Sequence, residues 1–112
     1  MFDVNEYQRL ALRTAPKDLT WDNLLLNGLM GLNGEAGEAI DILKKSLFQG
    51  HSLDVEHMAK ELGDVAWYLA ISAEAIGYSL EDILKMNIDK LRARYPEGFD
   101  TELSQHRKEG DV

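Results

Sequence analysis

The sequence predicts an all-α domain built from four helices, on three observations. Apolar residues recur at spacings of three and four along most of the chain, which is the period of an amphipathic helix. No stretch shows the alternation of a strand, and the two prolines, Pro16 and Pro96, bracket the long periodic segments. With 112 residues, 45 % of them apolar, one domain with a core is expected. We assign it to residues 1–99 and expect residues 100–112 to form a polar C-terminal tail.

The first two helices are marked by a proline, a capping residue and a glycine. Residues 3–14 predict a first helix, which ends before Pro16 because a proline disfavours helical backbone in the residue before it. Thr20 is a good N-cap for a second helix. That helix can run to residue 48 or 49, where Gly50 stops it.

The last two helices carry similar signals. The third can be capped by Ser52 or Asp54 and is stopped by Gly77. The segment SLED, residues 79–82, is a capping box and opens a fourth helix that runs to Arg94.

The second and third helices each carry an apolar stripe, and we expect the two stripes to pack against each other. The stripe of the second helix consists of Leu29, Leu32, Ala36, Ile40, Leu43 and Leu47. That of the third consists of Val55, Met58, Leu62, Val65, Ala66, Leu69 and Ala73.

The third helix is also apolar on a second side, which carries Trp67 and Ile71. A helix that is apolar on two sides is buried on two sides, and a chain this short has few helices to cover both. We therefore expect this second side to form a contact between subunits of a homo-oligomer.

Two pairs of acidic residues interrupt these helices. Glu35 and Glu38 are three residues apart on the second helix, and Glu61 and Asp64 repeat that spacing on the third. At about 100° per residue the two pairs lie at similar angles from their stripes, so the four carboxylates can line one side of the helix pair. Such a cluster cannot stay fully ionised without a cation, and magnesium suits carboxylate ligands. A solvated acidic face remains the open alternative.

Small residues accompany the acidic pairs. The second helix has a glycine at every third position over residues 28–37, and Gly63 lies between the acidic residues of the third. Each glycine costs a helix about 1 kcal/mol relative to alanine. We expect the glycines to allow close approach of the two backbones or to leave room for a ligand.

Charge and composition exclude several classes of protein. The net charge of −8 disfavours binding to DNA or RNA, which requires basic surface, but leaves a single nucleotide possible. Without cysteine there are no disulfides and no thiolate metal sites. The acidic start MFDVNEYQRL does not resemble a signal peptide, and no apolar run reaches the roughly 20 residues of a membrane span. We expect a cytoplasmic protein.

Several motifs together resemble the MazG-like group of the all-α nucleoside triphosphate pyrophosphohydrolases. E-x-x-E, then 22 residues, then E-x-x-D is similar to the metal motif of that group. The segments EYQRLALRTA, GLNGEAGEAID, KELGDVAWYLA and NIDKLRARYPEGF also resemble it, in order, over residues 3–99. The resemblance implies a helical bundle that forms dimers or tetramers. It also implies cleavage of a nucleoside triphosphate to the monophosphate and pyrophosphate with magnesium, for which manganese can substitute.

The resemblance also implies roles for individual residues. The implied magnesium ligands and catalytic residues are Glu35, Glu38, Glu61 and Asp64, one of which, or a nearby carboxylate, would orient the attacking water. The implied substrate-binding residues are Lys90 and Arg94 for the triphosphate and Asn87 and Tyr68 for the nucleotide. Weaker candidates are His57 as an assisting base and Trp21 as a base-stacking residue. Without the resemblance, Lys90 and Arg94 would be a basic patch near a helix C-terminus.

Two functions of other classes remain open. A ferritin-like di-metal bundle requires Glu-x-x-His on two helices, and here only Asp54 and His57 approach that pattern. A helical interaction module without catalytic activity is the other. The preferred base and sugar do not follow from the sequence.

Overall fold

The computed structural model describes all 112 residues, and every regular element in it is helical. The helices are α1 (Val4–Leu12), α2 (Trp21–Phe48), α3 (Val55–Ala75), α4 (Leu80–Arg94) and α5 (Thr101–Gln105). The chain divides into two compact units, Met1–Leu80 and Glu81–Val112. The predicted all-α class is therefore confirmed, and α5 is a short fifth helix that the sequence did not predict. None of these helices combines the length and apolar character needed to cross a membrane.

Local capping chemistry explains where α3 begins and where α2 and α3 end, whereas the side chain of Thr20 makes no capping hydrogen bond at the start of α2. Asp54, rather than Ser52, caps α3, because its carboxylate accepts a hydrogen bond of 3.0 Å from the backbone N–H of His57. Gly50 and Gly77 follow α2 and α3 with φ angles of 73° and 79°. Such left-handed backbone favours glycine, so the predicted stops are confirmed.

Within the first unit, α2 and α3 form an antiparallel pair that approaches closely through small residues. A Cβ atom on Gly28 would collide with the side chain of Ser72, and one on Gly31 would collide with the ring of Tyr68. Only glycine at these two positions allows the observed separation of the helices. The first of the two uses expected for the glycines, close backbone approach, is thus found at Gly28 and Gly31.

Helix α1 covers the side of α3 that was predicted to contact another subunit. The indole N–H of Trp67 donates to the backbone oxygen of Ala11 at 3.1 Å and lies 3.0 Å from the hydroxyl of Thr14. Ile71, one turn further along α3, has no exposed surface. The prediction of a subunit contact is therefore wrong for Ile71, which is buried within the chain, whereas Trp67 is half-buried and hydrogen-bonded to the nine-residue α1 and to Thr14 just after it.

A buried glutamine fixes α1 on the end of α3. The side-chain amide of Gln8 donates to the backbone oxygens of Ala70 at 3.3 Å and Tyr78 at 3.4 Å. Its oxygen accepts a hydrogen bond of 2.8 Å from the backbone N–H of Leu80. Because the buried amide meets three backbone groups, its burial is compensated, and it orients the turn that follows α3.

The predicted apolar stripes are not buried against each other as a continuous contact. Ile40, Leu47 and Leu62 are 68 %, 65 % and 58 % exposed, although Ala73 is buried as expected. The face of α2 that contacts α3 lies roughly 100° around the helix from the stripe, at the residues where glycine allows close approach. The sequence prediction was wrong here because the closest approach of α2 to α3 is made by glycines, which carry no hydrophobic signal.

Candidate active site

Helices α2 and α3 bring three of the four predicted carboxylates together. One oxygen from each of Glu35, Glu38 and Glu61 lies within 4.8 Å of the others. We call these three residues the carboxylate cluster. Asp64 lies outside it, but its charge is close enough to raise the pKa of Glu35. Burial and then the charge of Asp64 also raise the pKa of Tyr7 in α1.

The close helix contact places the cluster. Glu35 follows Gly31 by one turn on α2, and Glu61 precedes Tyr68 by two turns on the antiparallel α3. The contact between Gly31 and Tyr68 therefore determines how near the two glutamates come. Glu61 is largely buried there, with 12 % of its side chain exposed.

The carboxylates have too few positive charges near them for all of them to be ionised. Proton sharing with Glu61, burial and repulsion from neighbouring carboxylates raise the pKa of Glu35 to about 7. Hydrogen bonding from Glu35 holds the pKa of Glu61 below its usual value, with further hydrogen bonds to Glu38 and His57. Up to about neutral pH the metal-free cluster therefore retains a proton that Glu35 and Glu61 share.

Two oxygens of the cluster have no hydrogen-bond partner. Oε2 of Glu35 and Oε2 of Glu61 are both buried and unpaired. An unsatisfied buried polar atom costs about 1–3 kcal/mol, and a charged one costs more. A cation coordinated by these oxygens would remove that cost. The cluster offers only carboxylate oxygens, which is the donor set preferred by magnesium and manganese.

An open cavity of about 480 Å³ adjoins the cluster. Glu38 and Glu61 line it together with His57, whose Nε2 lies 3.2 Å from Oε1 of Glu61. Gly34 and Gly37 also line it, and a Cβ atom on either would meet nothing within 4 Å. The second expected use of the glycines, room for a ligand, therefore matches Gly34 and Gly37.

Sequence analysis missed two polar residues of this cavity. Asp41 and Lys45 line it and form an ion pair of 3.0 Å. Their spacing from Glu38, three and seven residues, places all three on one face of α2 and was the available signal. Lys45 is the one lysine or arginine among the lining residues of this cavity.

The two aromatic candidates, Tyr68 and Trp21, also belong to the first unit. Tyr68 fills the space over Gly31, and its ring meets that of Trp67 edge to face at 4.9 Å. Trp21, at the start of α2, is exposed. The structure thus places Tyr68 in the helix contact beside the cluster and leaves Trp21 accessible.

The remaining predicted substrate-binding residues belong to the unit Glu81–Val112. Asn87, Lys90 and Arg94 are spaced by three and four along α4, so they share one face of it. The ammonium of Lys90 donates to the backbone oxygen of Val112 at 2.7 Å, and Arg94 forms an ion pair with Asp111. The polar segment predicted as a tail thus contributes partners to both cations.

Comparison with known proteins identifies the family. A family model described as the MazG nucleotide pyrophosphohydrolase domain matches residues 25–99, which include the carboxylate cluster and all of α4. The chain is also 34 % identical over 103 residues to the Gene 37 protein of Mycobacterium phage L5, covering 85 % of this chain and 90 % of that protein. No solved structure matches the chain. The resemblance seen in the motifs is confirmed, and the chain belongs to the MazG nucleotide pyrophosphohydrolase family.

Proposed function

We propose that this protein is a magnesium-dependent nucleoside triphosphate pyrophosphohydrolase. It would cleave a ribo- or deoxyribonucleoside triphosphate to the monophosphate and pyrophosphate in the cytoplasm, and so remove unwanted nucleotides from the pool. The observation that carries the proposal is the carboxylate cluster with two buried, unpaired oxygens, in a chain of this family. A purely structural acidic face would not bury oxygens without partners.

The cluster residues Glu35, Glu38 and Glu61 would hold the metal, with Asp64 beside them as the fourth ligand. When bound, magnesium, or manganese in its place, supplies positive charge against the phosphate oxygens and favours ionisation of water. Phosphoryl-type transfer requires mainly positioning and neutralisation of charge. A carboxylate of the site would orient the attacking water, and His57 maintains the orientation of Glu61 through their contact of 3.2 Å.

The substrate would be held by cations and by contacts to the nucleoside. Lys90 and Arg94 would bind the triphosphate, because a guanidinium and an ammonium are suited to phosphate oxygens. Asn87 and Tyr68 would contact the nucleotide. The open cavity beside Gly34 and Gly37 offers the room that a ligand requires next to the carboxylates.

Substitution of single ligands tests the proposal. Glu38→Gln and Glu61→Gln keep the shape of the side chain but remove a charged ligand, so we expect each to lower pyrophosphate release by at least about 100-fold. Glu74→Gln is the matched control, since Glu74 lies on α3 but is exposed and outside the cluster. Circular dichroism shows whether each variant folds. Near-normal turnover in both cluster variants would overturn the metal site.

We also propose that the chain acts as a homodimer or as a tetramer of two dimers. The exposed members of the two predicted stripes, among them Ile40, Leu47 and Leu62, would leave much apolar surface in water. Soluble monomers seldom expose large apolar patches. A second copy related by a twofold axis would cover the stripes on both chains.

Two isoleucine substitutions test this arrangement. Ile40→Asp places a charge on the exposed stripe, so we expect a folded protein of smaller mass by light scattering. Ile71→Asp buries the same charge within the chain and is expected to abolish folding, as read by circular dichroism. An active wild-type monomer at low micromolar concentration would contradict the proposal, as would an Ile40→Asp protein of unchanged mass.

A further inference from the structure

The unit Glu81–Val112 contains a second cavity, of about 460 Å³, that is rich in positive charge. Lys90 and Arg94 line it from α4, and Arg107 and Lys108 line it from the segment after α5. Asp111 is the one carboxylate among its lining residues. In a chain whose net charge is −8, four cationic side chains around one cavity form a local site for anions.

The carboxylate of Asp111 occupies this site. Nε of Arg94 donates to one carboxylate oxygen at 2.9 Å, and a terminal guanidinium nitrogen donates to the other at 2.7 Å. The side chains of Arg94 and Asp111 are only 9 % and 17 % exposed. The hydrogen bonds from Arg94, with the charges of Arg107 and Lys90, hold the pKa of Asp111 below its usual value. A guanidinium binds phosphate with this same two-pronged geometry.

The same segment also occupies Lys90, through the hydrogen bond to the backbone oxygen of Val112. Within the segment, the backbone N–H of Asp111 donates to the backbone oxygen of Lys108 at 3.1 Å and so closes a turn, in which Gly110 has a φ of 85°. Residues 105–110 are exposed. Since Asp111 and Val112 are held by contacts with the two cations, an anion that binds those cations would release these two residues.

We propose that Asp111 is an internal competitor for a polyphosphate site on α4. In the unliganded chain the carboxylate of Asp111 fills the site, and a polyphosphate group displaces that carboxylate while Arg107 and Lys108 remain at the cavity. Arg107 and Lys108 then add their charge to the bound anion. The inference rests on the proposed function only in naming a nucleotide triphosphate as the natural ligand.

A structural role for the ion pair predicts a different result. If Asp111 only anchors the segment, its loss lowers stability and leaves anion affinity unchanged or weaker. If it competes, its loss raises affinity, because the fraction of molecules with a free site increases. The two readings therefore differ in the sign of one measured quantity.

The experiment measures binding of inorganic tripolyphosphate to the full chain by isothermal titration calorimetry at low salt. We expect Asp111→Asn to bind the probe about three- to tenfold more tightly than wild type, since a partly buried ion pair no longer competes. Glu109→Gln makes the same change of charge two residues away on exposed chain and should bind as wild type. Unchanged or weaker binding by Asp111→Asn would overturn the proposal.

A second variant keeps the test decisive if Asp111→Asn folds poorly. Arg107→Gln should weaken tripolyphosphate binding by about threefold, in line with one lost surface contact to an anion, and unchanged binding would overturn the role of the segment. Because the probe requires no turnover, failure here is separable from failure of the proposed function. Absence of nucleotide hydrolysis by wild type would overturn the proposed function and leave the competition measurable.

Discussion

Two glycines one turn apart on α2 should respond to alanine in opposite directions. Alanine is favoured over glycine within a helix by about 1 kcal/mol. At Gly34 a Cβ atom meets nothing within 4 Å, so Gly34→Ala should gain that full amount. For a chain of this size about 1 kcal/mol corresponds to a rise in melting temperature of roughly 4 °C.

At Gly31 the same gain is outweighed by a collision. The new Cβ atom would overlap the ring of Tyr68, which is half-buried and packed edge to face on Trp67. To relieve the overlap, either the ring must give up its contact with Trp67 or the helices must separate, and such overpacking costs about 1–3 kcal/mol. We therefore expect Gly31→Ala to destabilise the protein by up to about 2 kcal/mol after the helix gain is subtracted.

Urea unfolding of both variants and wild type, at one fixed protein concentration, measures the two effects. Equal shifts of the same sign would refute the reasoning, because the two substitutions differ only in what surrounds the added methyl group. Turnover adds a second readout. Since Gly34 lines the cavity beside the carboxylate cluster, Gly34→Ala should gain stability and lose activity together.

Two predictions concern the metal. Magnesium at ten times its dissociation constant should stabilise wild type by about 1.4 kcal/mol and so raise its melting temperature. Glu35→Gln should reduce that rise, and an equal rise in both proteins would argue against coordination by Glu35. In the metal-free chain the folded pKa of Glu35, about 7, lies above its ordinary value of 4.5, so its contribution to stability is complete below pH 4.5 and is lost as pH rises to 7. The pKa of Glu61 is lowered, so its contribution to stability is lost only as the pH falls below its ordinary pKa of 4.5. The urea midpoint of chelator-treated wild type should therefore fall between pH 5 and pH 7.5 more than that of Glu35→Gln, and parallel curves would contradict this.

Helix ends could be predicted from the sequence because they depend on neighbouring residues. Asp54 reaches a backbone N–H three residues away, and Gly50 and Gly77 take left-handed backbone that other residues rarely adopt. The pairing of Asp111 with Arg94 could not be predicted in this way. This ion pair joins residues that are 17 positions apart, one at the end of α4 and one after α5, and no periodic pattern in the sequence links them.

The assignment of helix faces failed for a different reason. Periodicity shows which residues avoid water in the working protein, but it does not show what covers them. Ile71 is covered by α1 within the chain, whereas Ile40 and Leu62 remain exposed. The side of α3 that was assigned to another subunit is thus covered within the chain at Ile71, and the stripe that was assigned to α2 remains partly exposed.

The contact that builds the candidate site is the one that hydropathy could not detect. Where α2 meets α3, the facing residues are Gly28 and Gly31 against Ser72 and Tyr68. The small volume of the two glycines, rather than apolar character, allows the helices to approach and brings carboxylate oxygens within 4.8 Å of one another. Each of these glycines costs the helix about 1 kcal/mol, and the cluster adds repulsion between like charges. The glycines are required by the close packing, but a fold selected for stability alone would not gather like charges at this contact, and that is why we propose a bound cation there.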